Sequence, residues 1–323
     1  MSRILVLGAG GFIGYHMVQR LRQEEGTFVH GVDQKNPQYG DHNCHIWSLA
    51  DLRNEAVVGR LMAGGYDEVY QFAADMGGAG FVFTGEHDLD ILLNSARINL
   101  NVAKYAYRCD KVFFSSSACI YPAHLGANCQ EDLAFPALPD SEYGWEKLFA
   151  ERVYQTYNRL SALPKKVYIA RFHNIYGPQG TFKGGREKAP AALCRKVAQA
   201  PDKGSIKIWG SGEQKRSFLY IEDCLDGILA LVRGKESGEF FGPVNIGSEE
   251  MVSINQLAQT VIDISGKKLS IEHEEGPLGV AERNSVNQLS KAMLDWEPKI
   301  KLKEGIERTY RWIDGMVNQG YGL

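Results

Sequence analysis

The sequence predicts a doubly wound α/β protein, a parallel sheet covered by helices on both faces, followed by a smaller α/β domain. Three observations predict this class. A short apolar strand runs into Gly8, Gly11 and Gly14 and then into an amphipathic helix; apolar runs recur at crossover spacing; and near Arg171 the chain turns to Gly-, Pro- and Lys-rich segments. Such an arrangement is a Rossmann fold with a C-terminal substrate domain.

Taken in order, residues 3–7 form the first buried strand and residues 8–14 a tight turn. The first helix, Phe12–Arg22, puts Phe12, Ile13, Met17, Val18 and Leu21 on one face. Further strands are expected at 27–32 (ending in Asp33), 68–72, 111–114 and 167–170. A stretch long enough for a helix crossover separates them, the pattern of a parallel sheet covered on both faces. Helices return near 221–233, 253–265 and 303–314. The expected division is 1–170 for the dinucleotide-binding domain and 171–323 for a mainly substrate-binding domain, some of whose segments rejoin the first sheet.

Composition narrows the function. The chain has 323 residues, 44% of them hydrophobic and 23% charged, which is ordinary globular usage and excludes fibre and disorder. With 36 basic and 39 acidic residues and a net charge of -3, no overall positive field draws in nucleic acid or an anionic membrane. The six cysteines form no C-x-x-C pair, which argues against a zinc ribbon or a disulfide scaffold and fits a reducing cytoplasm. The apolar start is broken by glycines too early for a signal segment, and no apolar stretch is long enough to span a membrane. His42, Cys44 and His45 lack a second ligand cluster at zinc-like spacing, so no metal is expected.

The turn after the first strand carries the cofactor signal. Glycines let a pyrophosphate approach the backbone, and the helix N-terminus offers free N–H donors and a positive dipole end. Asp33, at the end of the next strand, can accept from the adenosine ribose hydroxyls and would repel a 2′-phosphate, so NAD is favoured over NADP; Lys35 nearby could tolerate the phosphate. Phe12 and Ile13 in the turn and Ala73 after the third run are expected beside the cofactor. Asp51 either contacts the adenine or caps a helix.

Tyr143 and Lys147 stand at i and i+4 on one helix face. A lysine cation and the nicotinamide charge favour the phenolate, which could then take an alcohol proton. Ser117 ends the 111–114 strand at the carboxyl edge of the sheet, within reach of the same alcohol.

These residues, with Asn174-Ile175-Tyr176-Gly177-Pro178, Arg216-Ser217-Phe218, Asn245-Ile246-Gly247 and Leu294-Asp295-Trp296-Glu297-Pro298, resemble the extended, nucleotide-sugar-modifying branch of the short-chain dehydrogenase/reductase superfamily over nearly the whole chain. Three strings narrow it: Ala73-Ala74-Asp75-Met76-Gly77-Gly78, Ser117-Ala118-Cys119-Ile120-Tyr121-Pro122 and Lys183-Gly184-Gly185-Arg186-Glu187-Lys188-Ala189-Pro190. They closely resemble the GDP-mannose 3,5-epimerase family.

That resemblance implies a cycle. Tyr143 deprotonates the sugar 4-hydroxyl while NAD takes the C4 hydride; Cys119 and Lys188 exchange protons at C5 and C3; the hydride returns, and net redox change is zero. Inversion at carbon needs a proton removed from one face and another delivered to the opposite face, so two groups are needed. Cys119, unactivated, would instead be a small buried strand-end residue. The resemblance also implies substrate contacts at Gly77, Ser117, Asn174, Glu187, Lys188, Ala189, Lys196, Gln214, Lys215, Arg216 and Arg283, whose cations suit a diphosphate. The chain starts almost at its first strand and ends at Leu323, so a substrate contact from a C-terminal extension is expected to have no counterpart.

Two rivals remain on the sequence alone. One is another enzyme of the same branch, a single-centre C3, C5 or C4 epimerase or a ketosugar reductase. The other is a non-catalytic NAD-binding sensor, which has no need of the Ser117, Tyr143 and Lys147 set. The apolar face of Leu148, Phe149, Val153, Tyr154 and Tyr157 suggests a homodimer, though packing within the monomer explains the same pattern.

Overall fold

The computed structural model describes residues 1–160, 166–234, 240–276 and 279–321. Seven parallel strands form the central sheet: β1 (Ser2–Leu7), β2 (Thr27–Asp33), β3 (Ile46–Leu49), β4 (Glu68–Gln71), β5 (Lys111–Ser117), β6 (Lys166–Phe172) and a late strand, Val244–Ile246. Their spatial order is late strand–β6–β5–β4–β1–β2–β3, so the chain winds outward from β1 in both directions. β1 and β4 are neighbours but not consecutive, and the crevice at this switch point opens at the strands' carboxyl ends.

The period of two explains the continuous apolar runs. In β1, Ile4 and Val6 face a core that includes Met17, Val18 and Leu21 of the first helix, while Leu5 and Leu7 face Val58, Met62, Val102 and Ala103 on the other side. Helices Asp88–Tyr105 and Glu142–Arg159 cover that second face, where Phe114 meets Tyr154 with ring centroids 4.7 Å apart. The first face continues without a break into helices Ala189–Gln199, Ile254–Ser265 and Leu302–Met316 and the parallel pair Lys203–Trp209 with Lys268–Glu274.

The strand Val244–Ile246, far along the chain, pairs with β6 and closes one edge of the sheet. Among the described residues, no helix is long and apolar enough to cross a membrane, and no group of three or more His, Cys, Asp or Glu could hold a metal. His42 stacks on Trp47 and His45 on Phe28, while the His45 Nδ1 accepts from the Val29 N–H at 2.9 Å.

Of the apolar face on helix Glu142–Arg159, Leu148 and Tyr154 are buried in the monomer and Tyr157 hydrogen-bonds the Ala103 carbonyl. Phe149 is exposed, as are Trp145 on the same helix and Leu93 and Leu100 on the neighbouring one. The outward stripe therefore runs over two helices and differs in membership from the sequence pattern.

Candidate active site

One cleft of about 620 Å³ lies over the carboxyl ends of the strands. Every catalytic, cofactor and substrate residue expected from the sequence lines it except Lys215. In the strand Lys215–Ser217 successive side chains alternate: Arg216 turns into the cleft, while Lys215 faces solvent, 3.8 Å from Glu282.

The glycine turn is built for close approach. Gly8 has φ +82°, and a Cβ there would lie 2.6 Å from the Ala73 nitrogen; at Gly14 a Cβ would collide with the Gly8 carbonyl. Gly11 caps helix Phe12–Arg22 with no side-chain hydrogen bond, so the first-turn N–H groups stay available to an anion. Asp33 is buried, accepting from Gly10 N–H at 3.0 Å and Lys35 N–H at 3.2 Å; burial pushes its pKa up and these bonds oppose the rise. This cradle fits a dinucleotide, with Phe12, Ile13 and Ala73 on its walls. Asp51 does not cap a helix: Asn54 accepts from Ala56 N–H and Val57 N–H, leaving Asp51 exposed at the cleft edge against Arg53.

Deeper in the cleft, Ser117 ends β5 and its hydroxyl accepts from the Cys119 N–H at 3.2 Å. Ser141 caps helix Glu142–Arg159, whose first turns present Tyr143 and Lys147. Lys147 donates to the Ser115 carbonyl at 2.9 Å and sits 5.6 Å from the Tyr143 ring centroid. Burial dominates both groups in the free protein: it pushes the Tyr143 phenol above its usual range, against a Ser117 hydrogen bond, and pushes Lys147 down. The depression of the phenol expected from the sequence is absent, and desolvation prevails.

Cys119 lies on the 3-10 turn after Ser117, and Lys188 caps helix Ala189–Gln199 from a segment distant in sequence. Burial raises the Cys119 thiol to about 11, with Asp140 adding and Arg283 and Lys188 opposing. Burial lowers Lys188, and Cys119 opposes. The two groups thus stand in each other's field, and burial favours the neutral form of each, a thiol that holds its proton more tightly and an amine that holds its own less tightly.

Around them the remaining residues divide. Asn174 (φ +46°) donates to the Ser217 carbonyl at 2.9 Å, and Glu187 is held by Arg195 at 3.1 Å. Lys196 donates to the Lys207 carbonyl at 2.6 Å, whereas Gln214 Oε1 is buried without a protein partner. Arg216 is held down to about 10 by burial and by Arg283. Arg283 is committed to protein: it ion-pairs Asp140 at 3.0 Å and donates to the Ala118 and Tyr121 carbonyls. Asp140, Asp75 and Arg186 also belong to the cleft; Asp75 and Arg186 lie in the strings that carry the resemblance, but the partners of all three are remote in sequence.

Fold and site define a Rossmann-type enzyme with a tyrosine–lysine pair and a cysteine–lysine pair at the strand ends. The chain belongs to the NAD dependent epimerase/dehydratase family, whose model matches residues 4–247. It is 42% identical to GDP-mannose 3,5-epimerase of Arabidopsis thaliana and 41% identical to GDP-mannose 3,5-epimerase 1 of Oryza sativa subsp. japonica, in each case over 98% of this chain and 83% of the relative. Among solved structures it is similar to UDP-glucuronic acid 4-epimerase from Bacillus cereus in complex with UDP-glucuronic acid and NAD. That TM-score is 0.82 at 25% identity, over 97% of this chain and 99% of the other. UDP-glucose 4-epimerase of Thermotoga maritima shares the fold with a TM-score of 0.83 at 22% identity, over 98% and 99% of the two chains.

Proposed function

We propose that this protein inverts C3 and C5 of GDP-D-mannose, giving GDP-L-galactose, GDP-L-gulose or both, through a transient 4-keto sugar with NAD bound. The observation that carries the reading is the mutual field of Cys119 and Lys188 in the cleft that also holds Ser117, Tyr143 and Lys147. An enzyme that only oxidises and reduces C4 has no use for the first pair. Relatives at 41% and 42% identity bear the name GDP-mannose 3,5-epimerase, which supports the substrate assignment.

When bound, NAD supplies a hydride acceptor and donor for C4 together with a positive ring charge. Gly8, Gly11, Phe12, Ile13, Gly14, Asp33 and Ala73 would hold it, with Asp51 at the edge. Tyr143 takes the proton of the 4-hydroxyl, Ser117 hydrogen-bonds the same oxygen, and Lys147 stabilises the phenolate. The resulting C4 carbonyl acidifies the protons on C3 and C5. Cys119 and Lys188 then remove a proton from one face of the carbon and deliver one to the other. Arg216 and Lys196 meet the diphosphate, and Gln214 with its unpartnered Oε1 meets a donor on the nucleotide. Since the redox change over one turnover is zero, the cofactor needs no recycling partner.

The exposed stripe of Leu93, Leu100, Trp145 and Phe149 supports pairing of two copies through these helices, giving a homodimer. Six free cysteines support a reducing, cytoplasmic setting. Incubating GDP-mannose with the protein and no added cofactor, then hydrolysing and separating the sugars, tests the reading: galactose, the product of inversion at both carbons, is expected alone or with gulose, the product of inversion at C5, and gulose alone or unchanged mannose contradicts it.

A further inference from the structure

Two segments far apart in sequence meet over the cleft. Residues 75–82 follow β4, and residues 183–188 lead into helix Ala189–Gln199. Arg186 joins them. Its guanidinium donates to Asp75 Oδ1 at 2.8 Å and to the Met76 carbonyl at 3.3 Å, and lies 3.8 Å from the Phe81 ring centroid. The Gly78 N–H donates to the Arg186 carbonyl at 3.0 Å, and a Cβ at Gly78 would collide with the Glu187 carbonyl, so the two backbones are pressed together.

Asp75 is itself anchored. Its Oδ2 accepts from Asn94 Nδ2 at 3.1 Å and its N–H donates to Ser95 Oγ at 3.0 Å, both on the helix Asp88–Tyr105 that packs on the sheet. A line of contacts thus runs from that helix through Asp75 to Arg186, two residues before Lys188. On the other side of Arg186, Gly184 (φ +91°) and Gly185 (φ +85°) have open space where side chains would be, so nothing steric fixes the loop there.

We propose that Arg186, held by Asp75, is a positioning residue that fixes Lys188 in the cleft it shares with Cys119 for proton exchange. The proposal rests on the acid/base reading of Lys188 given above. Arg186 is about half exposed, with 48% of its side chain open, and exposed ion pairs add little to fold stability. Its loss therefore acts on geometry and leaves the fold standing. Oxidation at C4, in which Tyr143 on helix Glu142–Arg159 takes the hydroxyl proton, is insensitive to it.

The test uses the purified protein with its own cofactor and GDP-mannose in deuterated water, comparing the parent with Arg186→Ala, Asp75→Asn, the double variant and Arg186→Lys. In the Ala and Asn variants, deuterium entry at C3 and C5 is expected to slow on the order of 100-fold, while transient NADH formation persists. The double variant is expected to be no slower than either single one, and Arg186→Lys to recover part of the rate. Equal loss of hydride and proton transfer, parent-like exchange, or multiplicative losses would overturn the proposal. A substrate-free measurement separates this from failure of the parent reading: trypsin should cut within residues 183–188 faster in Asp75→Asn than in the parent, and equal cutting would also overturn it. If the parent protein leaves GDP-mannose untouched, the substrate assignment fails while the trypsin comparison still decides whether Asp75 holds this loop.

Discussion

Arg283 is ion-paired to Asp140 at 3.0 Å with their side chains only 5% and 3% exposed, and the same guanidinium grips the carbonyls of Ala118 and Tyr121. Those carbonyls bracket Cys119, so the pair clamps the turn that carries the thiol. Replacing one partner of a buried pair leaves the other charge uncompensated, at a cost of about 3–5 kcal/mol. Arg283→Met is expected to lose that much in urea unfolding, and Arg283→Met with Asp140→Leu to regain most of it. A loss below about 1 kcal/mol in the single variant would mean that no clamp exists.

Tyr143→Phe removes one hydroxyl whose hydrogen-bond partner is Ser117. The fold and the bound NAD are expected to survive, while kcat falls about 10²- to 10⁴-fold, the usual worth of a positioned proton acceptor. Cofactor content and turnover measured on the same preparation check this. Loss of both together would indicate a structural role.

Titration of Cys119 follows from its burial. Its pKa is raised to about 11 from an ordinary 9.0, so the native state holds this proton more tightly than the unfolded chain. Its contribution to stability is complete below about pH 9 and is lost as pH rises toward about 11. In the protein without substrate, alkylation of Cys119 followed by mass spectrometry is expected to be slow near neutral pH and to rise toward pH 11. A midpoint below pH 8 would contradict the desolvated site.

Asp33 braces the glycine turn through Gly10 N–H and Lys35 N–H. On the proposed reading Asp33→Ala also removes the carboxylate that accepts from the ribose, and loss of one charge-assisted bond of about 1.5–3 kcal/mol is expected to drop NAD affinity roughly 10- to 100-fold. Calorimetric titration of stripped protein measures this. Unchanged affinity would move the ribose contact elsewhere.

Gly144 lies so near the Cys119 turn that a Cβ there would collide with the Cys119 carbonyl. Gly144→Ala is therefore expected to displace the thiol and slow turnover at least tenfold, although alanine favours a helix there by about 1 kcal/mol. A stabilised, fully active variant would show that the turn can shift without consequence.

Much of the fold was legible because parallel strands covered on both faces are largely apolar, and Ile4, Val6, Leu5 and Leu7 illustrate the two faces directly. Glycines 8, 11 and 14 and the Tyr143–Lys147 spacing were equally plain, since each is a local pattern. Lys215 was not, because the direction of a side chain on a three-residue strand depends on its register with the Glu282–Arg283 strand and the Met251–Ser253 strand. Arg283 looked like a free cation for a phosphate; only tertiary structure brings Asp140 and two carbonyls to it. The Arg186–Asp75 contact was invisible for the same reason, being a pairing across 111 residues of chain.

Proton nuclear magnetic resonance of GDP-mannose incubated with the protein in deuterated water, with no cofactor added, tests the central claim most directly. Deuterium at both C3 and C5 together with signals of new epimers is the predicted result. Label at one carbon alone, or no label with mannose unchanged, would contradict the double inversion.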